Sequence, residues 1–158
     1  MHQRWSSFFM LIAIQYPNRK PTVRQQNGKE EVFCLSRKRW VVLTPEEWVR
    51  QHFLLYLTEV LHYPLSNMAV EKQIRVGALN KRVDILVYRS AVPFMIVECK
   101  EMNVSLSQEV LDQALRYNIP LRADYVIITN GQYTAGFHRT ETSFQYIDAI
   151  PAHEKSPL

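Results

Sequence analysis

The apolar positions along the chain follow two different periods, and the change from one to the other marks out its elements. After Thr44, Trp48, His52, Leu55 and Glu59 follow at helical spacing, and Phe53, Leu54, Leu57, Val60 and Leu61 widen the apolar face. Thr44-Pro45-Glu46-Glu47 opens this stretch as a capping box, with proline at the first helical position and glutamate at the third. Tyr63-Pro64 ends it, because the residue before a proline is pushed out of the helical region. From Ala69 the period falls to two, which predicts strands over 70–76, 82–88 and 94–100 with turns at 77–80 and 89–93. A second helix is predicted from about 105 to 119, with Ser105 and Gln108 as a capping box and Pro120 as its stop. Its apolar face carries Val110, Leu111, Ala114 and Leu115. The stretch 124–129 is a continuous apolar run, as a strand buried on both faces requires. Asn130-Gly131 then turns the chain into a strand over 132–138, and 143–150 supplies the last one.

Upstream, 15–31 is polar, holds two prolines and contains Asn27-Gly28, so it predicts loop or hairpin turn. Short strands are expected at 32–35 and 40–43, on either side of the basic run Arg37-Lys38-Arg39. The apolar run 5–14 is too short to span a bilayer and no small-residue cleavage site follows it, so a buried strand is expected there. Beyond Pro151 the tail is expected to fray. Neither a repeat nor a second core is visible, which predicts one domain over 1–158, with 1–31 as an extension and loop. A helix between the third and fourth main strands permits a parallel pairing there. The expected fold class is therefore α/β, a mixed sheet with a helix on each face.

At 158 residues, 47% of them hydrophobic and 22% charged, the chain is long enough to bury a core and reads as folded. Its net charge of +4 favours a polyanionic partner without identifying one. The two cysteines, Cys34 and Cys99, form no CxxC pair or Cys/His cluster. A zinc site or a disulfide framework is not expected, and a reducing cytoplasm is the simpler location.

Charge interrupts two of the predicted strands. Arg82-Val-Asp84-Ile-Leu-Val-Tyr88 and Met95-Ile-Val-Glu98-Cys-Lys100 place ionised groups among Val, Ile and Leu. Buried charges of this kind must pair, bind a metal or change protonation. Strand alternation puts Glu98 and Lys100 on one face. Thirteen residues separate Asp84 from Glu98, enough for a strand end, a turn and a return that sets the two carboxylates side by side. Adjacent carboxylates repel unless a cation lies between them, and oxygen ligands without His or Cys thiolate point to Mg²⁺ or Mn²⁺. A lysine beside such a pair suits phosphodiester hydrolysis. The structural alternative is an Asp–Lys or Glu–Lys ion pair near the sheet edge; the conjunction of D-x13-ExK with flanking helices favours the metal site. Arg37, Lys38, Arg39, Lys72, Lys81 and Arg82 are candidates for a rim that tracks DNA phosphates, with solvated charge as the default for each alone. Trp40 and Trp48 are expected in the core, and His52 and His62 as surface or packing residues.

Trp40-Val-Val-Leu-Thr-Pro-Glu-Glu-Trp-Val-Arg-Gln-His52, Lys81-Arg-Val-Asp84-Ile-Leu-Val-Tyr88, Val97-Glu-Cys-Lys100 and Thr129-Asn-Gly131, in that order, resemble the N-terminal domain of type I restriction enzyme R proteins. This is a family of the PD-(D/E)xK nuclease superfamily, and the closer likeness is to its short stand-alone members, over roughly residues 13–150. The resemblance implies a restriction-endonuclease-like three-layer fold, Mg²⁺ or Mn²⁺ as cofactor, DNA as substrate, and restriction-modification subunits as partners. Carried over, Asp84 and Glu98 are metal ligands together with the Cys99 carbonyl, and Lys100 is the catalytic lysine. Glu47 matches the acidic residue of the first helix that often completes such a site; its alternative role is to cap the helix. Gln113 and Tyr117 match the QxxxY motif of RecB-like nucleases. The sequence holds no GxxxxGK[ST] and is short for a motor, so ATP-driven translocation is not expected of it. The implied activity is a metal-dependent deoxyribonuclease. The alternatives are a weak or inactive DNA-binding module on the same fold and, further off, a small-molecule metal hydrolase. Cutting both strands from one site per chain would call for a homodimer.

Overall fold

In the computed structural model, which describes residues 10–154, the six strands predicted from the period-two segments and the apolar run form a single mixed sheet. Its strands are β4 (Met68–Val76), β5 (Leu79–Arg89), β6 (Val92–Cys99), β7 (Tyr125–Thr129), β8 (Thr134–Arg139) and β9 (Phe144–Ile147), side by side in chain order. Neighbours are antiparallel except β6 and β7, which run parallel because α2 (Gln108–Leu121) carries the chain back between them. A smaller antiparallel sheet precedes it, made of β1 (Val23–Gln26), β2 (Lys29–Cys34) and β3 (Arg39–Val42). Asn27 and Gly28 both take positive φ in the β1–β2 turn, as a two-residue hairpin requires.

The large sheet buries a different core on each face. On one, Phe53, Leu54 and Leu57 from α1 (Pro45–Leu55) and the turn after it cluster with Ile85, Val87, Met95, Val97 and Ile127. On the other, Val110, Leu111 and Ala114 of α2 pack with Leu86, Ile96, Val126 and Ile128. The chain is thus α/β, with a mixed sheet between two helices as expected.

Several boundaries differ from the sequence expectation. The first helix does not stay α-helical to Tyr63-Pro64; after Leu55 it widens into a π turn over Tyr56–Val60. The cap of α2 is Ser107, whose Oγ accepts from the Val110 amide at 3.4 Å, and not Ser105. Pro120 does not stop α2. It lies in the last turn of the helix, and the chain leaves through Arg122 at φ 53°. Asn118 fixes that exit by exchanging hydrogen bonds of 3.0 and 2.8 Å with the backbone of Ala123. Trp40 and Trp48 are half-buried rather than core: the Arg24 guanidinium sits 4.2 Å above the Trp40 ring, and Trp48 packs edge-on to His52. The stretch expected to fray after Pro151 is held as far as Glu154. Tyr63 donates to the Pro151 carbonyl, the His153 amide to Leu61, and Glu154 pairs with Arg89. Of the apolar run 5–14, residues 5–9 lie outside the described residues; Leu11 forms a single bridge to Ala135 and Ile12 is buried.

Candidate active site

The site begins with an interruption of the β4–β5 ladder. Val70 pairs with Ile85 and Lys72 with Val83, but Glu71 and Asp84, which face each other between these pairs, are not paired. Glu71 is in the left-handed region at φ 53°, unusual for a non-glycine residue and costing on the order of 1–3 kcal/mol. Side-chain alternation changes at the same level: Val83 packs on the α2 side, and Ile85 on the α1 side. Asp84 therefore sits where the strand reorients, and its carboxylate reaches neighbours on two elements. Oδ1 accepts from Arg50 Nη2 of α1 at 2.7 Å, and Oδ2 accepts from the Cys99 amide of β6 at 2.8 Å.

The β5–β6 register runs to Ile85 opposite Val97, and one step further sets Asp84 across from Glu98. Glu98 Oε1 lies 3.4 Å from the Asp84 amide, and both side chains are nearly buried. Burial first, and the neighbouring Asp84 charge second, push the Glu98 carboxyl well above the usual carboxylate range. The buried Cys99 thiol is raised for the same two reasons.

Glu47 does not face this pair. Its carboxylate accepts from Arg37 at 2.6 Å, Arg50 at 2.7 Å and Gln51 at 3.2 Å. Burial alone would raise its pKa, but the two arginines outweigh that and hold it below the ordinary value. Only half of the expected capping box forms: the Glu47 amide donates to Thr44 Oγ1 at 3.0 Å, while its side chain is taken up by the arginines. Glu46, one residue earlier, is the α1 carboxylate that the Asp84 charge acts on. It is half-buried and raised by burial and by Asp84. The helical positions Glu46 and Arg50, four apart on an apolar helix, were the available sequence signal for this arrangement.

Glu46 and Lys100 line an open cleft of about 570 Å³ with Ser105, Ser107, Gln113 and Arg116. The Lys100 amide is anchored to the Thr129 carbonyl at 2.8 Å, which fixes the backbone from which its side chain extends. Gln113 donates to the Tyr117 hydroxyl at 2.9 Å, so the Q-x3-Y pair is one hydrogen-bonded unit on α2. Of the basic residues, Lys38, Arg39, Lys72 and Arg82 are exposed and Lys81 is half-buried. Arg37 is drawn inward by Glu47, by Glu71 at 3.5 Å and by the Cys34 sulfur at 3.2 Å, and these contacts occupy its guanidinium.

Among the described residues, no group of three or more His, Cys, Asp and Glu side chains could hold a metal ion. Two adjacent carboxylates do fit Mg²⁺, which takes one or two protein carboxylates and completes its shell with water and substrate phosphate oxygens. The Cys99 amide that donates to Asp84 at 2.8 Å brings the backbone of that residue up to the carboxylate pair.

Two comparisons bear on this geometry. The family described as Type I restriction enzyme R protein N terminus matches residues 45–151, more than half of the chain and the whole of the large sheet with both helices. No curated protein sequence matches.

Proposed function

Since the chain belongs to the family of type I restriction enzyme R protein N termini, we propose that it is a metal-dependent deoxyribonuclease that hydrolyses DNA phosphodiester bonds. The observation that carries this reading is the side-by-side placement of Asp84 and Glu98 on adjacent strands, with Lys100 two residues on in the cleft. In this reading Asp84, Glu98 and the Cys99 carbonyl hold the ion. A bound Mg²⁺ or Mn²⁺ supplies charge to the phosphate oxygens and lowers the pKa of a coordinated water.

The remaining work falls to the chain's own side chains. The Lys100 ammonium, on the cleft wall, orients the attacking water and neutralises charge developing on the phosphate. Gln113, steadied by Tyr117, holds the DNA strand against that wall. Lys38, Arg39, Lys72, Lys81 and Arg82 supply phosphate contacts that track the backbone. Arg37 and Glu47 serve as structural partners of each other in this scheme.

The test is cleavage of single- and double-stranded DNA by the purified protein with Mg²⁺ or Mn²⁺. Asp84→Ala and Lys100→Ala are each expected to lower the rate by roughly 100-fold or more, with folding checked by circular dichroism. Equal activity in wild type and Asp84→Ala would overturn the assignment. One observation favours a second reading, a DNA-binding module without turnover: both oxygens of Asp84 already accept hydrogen bonds. Salt-dependent DNA binding with no metal-dependent cleavage would select it.

A further inference from the structure

The least expected feature of the site is the cation already on Asp84. Arg50 is 4% exposed, and its guanidinium is surrounded by carboxylates of three different elements. Nη1 donates to Glu47 at 2.7 Å, and Nη2 donates to Asp84 at 2.7 Å. The same Nη2 lies 3.5 Å from Glu71 Oε1 and 3.5 Å from Glu46 Oε1. Nε is buried without a hydrogen-bond partner. Glu47 thus fixes one arm of the fork, while the other is shared unequally between Asp84 and two further acceptors.

We propose that Arg50 is a resident counter-ion that a divalent cation must displace from Asp84, and that Glu71 is the acceptor to which the displaced arm moves. The inference rests on the metal-site reading above and concerns how that site is tuned. A full positive charge 2.7 Å from a ligand oxygen opposes a divalent ion on that oxygen, and the opposition is strong where water is scarce. Glu71 is placed to relieve it. Its left-handed conformation opposite Asp84 turns its carboxylate towards Arg50, Arg37 and Arg82, with contacts of 3.5, 3.5 and 3.9 Å. An ordinary strand residue at position 71 would pair in the ladder instead. Nη2 can pass from Asp84 to Glu71 while Nη1 keeps its bond to Glu47, so displacement leaves no buried charge unpaired. Arg50 is therefore a positioning residue: it acts on the metal through Asp84.

The experiment is Mn²⁺ titration by calorimetry into the full chain as wild type, Arg50→Gln and Glu71→Gln, with thermal melts to confirm folding. Arg50→Gln is expected to bind Mn²⁺ at least ~10-fold tighter, since the opposing charge is gone. Glu71→Gln, which removes the alternative acceptor, is expected to bind roughly 3- to 10-fold weaker. That weakening should vanish in the double variant, because Glu71 acts through Arg50. An arginine with a purely structural role would leave the affinity unchanged or lower it. Folded Arg50→Gln binding no tighter than wild type overturns the inference and leaves the nuclease reading standing. If Arg50→Gln does not fold, Glu71→Gln binding as wild type overturns it equally. If wild type and variants all fail to bind Mn²⁺ at millimolar concentration, the metal-site reading falls and this inference with it.

Discussion

Glu47 and Glu46 are adjacent in sequence and have opposite fates, and the difference can be measured. Glu47 is nearly buried against Arg37 and Arg50, which hold its carboxyl below the ordinary value against the opposing effect of burial. A depressed carboxylate contributes stability above its unfolded pKa, about 4.3, and loses it as pH falls through the folded value. Glu47→Gln should thus lower stability at pH 7 by about 1–3 kcal/mol, the cost of a lost charged hydrogen-bond partner. The gap from wild type should close as pH drops below about 4. Melting curves between pH 7 and pH 3 check this, and a gap that stays constant would contradict it. The capping box named Glu47 from sequence because the motif counts positions. Successive helical residues point about 100° apart, so only docking on the sheet decides which of the two looks into the cleft.

At the scale of elements, the cleft wall is held by a turn. Asn130 follows β7, and its Oδ1 accepts from the amides of Tyr133 at 2.7 Å and Gln132 at 3.1 Å. Its Nδ2 donates to the Val104 carbonyl at 2.9 Å, tying the β7–β8 turn to the segment after Lys100. The side chain is buried, so Asn130→Ala should cost about 1–3 kcal/mol by leaving backbone groups unsatisfied. Hydrogen exchange over 101–107 should accelerate while the α1 core stays protected. Uniform acceleration across the chain would instead indicate global destabilisation. The Asn130-Gly131 pair reads as a turn from sequence alone, but its second task, holding the cleft segment, depends on a contact between positions 26 apart. Likewise Pro120 reads as a helix stop because local rules take no account of Asn118 and the apolar face that carry α2 past it.

For the whole molecule, the D-x13-ExK set occurs once in the chain, so each chain offers one cutting site in the proposed reading. Supercoiled plasmid should therefore convert first to open circle, and linear product should appear with a steeper dependence on protein concentration as two chains meet. Direct linearisation at the lowest active concentration would show that the protein cuts as a stable homodimer. No described helix is long and apolar enough to cross a membrane.

Local pattern was enough to read the order of the six main strands and the two helices, and it permitted the parallel pairing of β6 with β7. Period and the intervening helix carry that much, but setting Asp84 beside Glu98 also needs the shift of the β5–β6 register between Val87 and Tyr88 and the change of alternation between Val83 and Ile85, which residue spacing does not encode. Tertiary structure alone decided the charge environment of that site. Glu46 rather than Glu47 in the cleft, Arg50 on Asp84, Glu71 turned out of the ladder and Arg37 drawn inward all depend on how α1 and the small sheet dock against β4 and β5. Electrostatic partners are set by distances of a few ångströms between segments far apart in the chain, and no residue spacing encodes those distances.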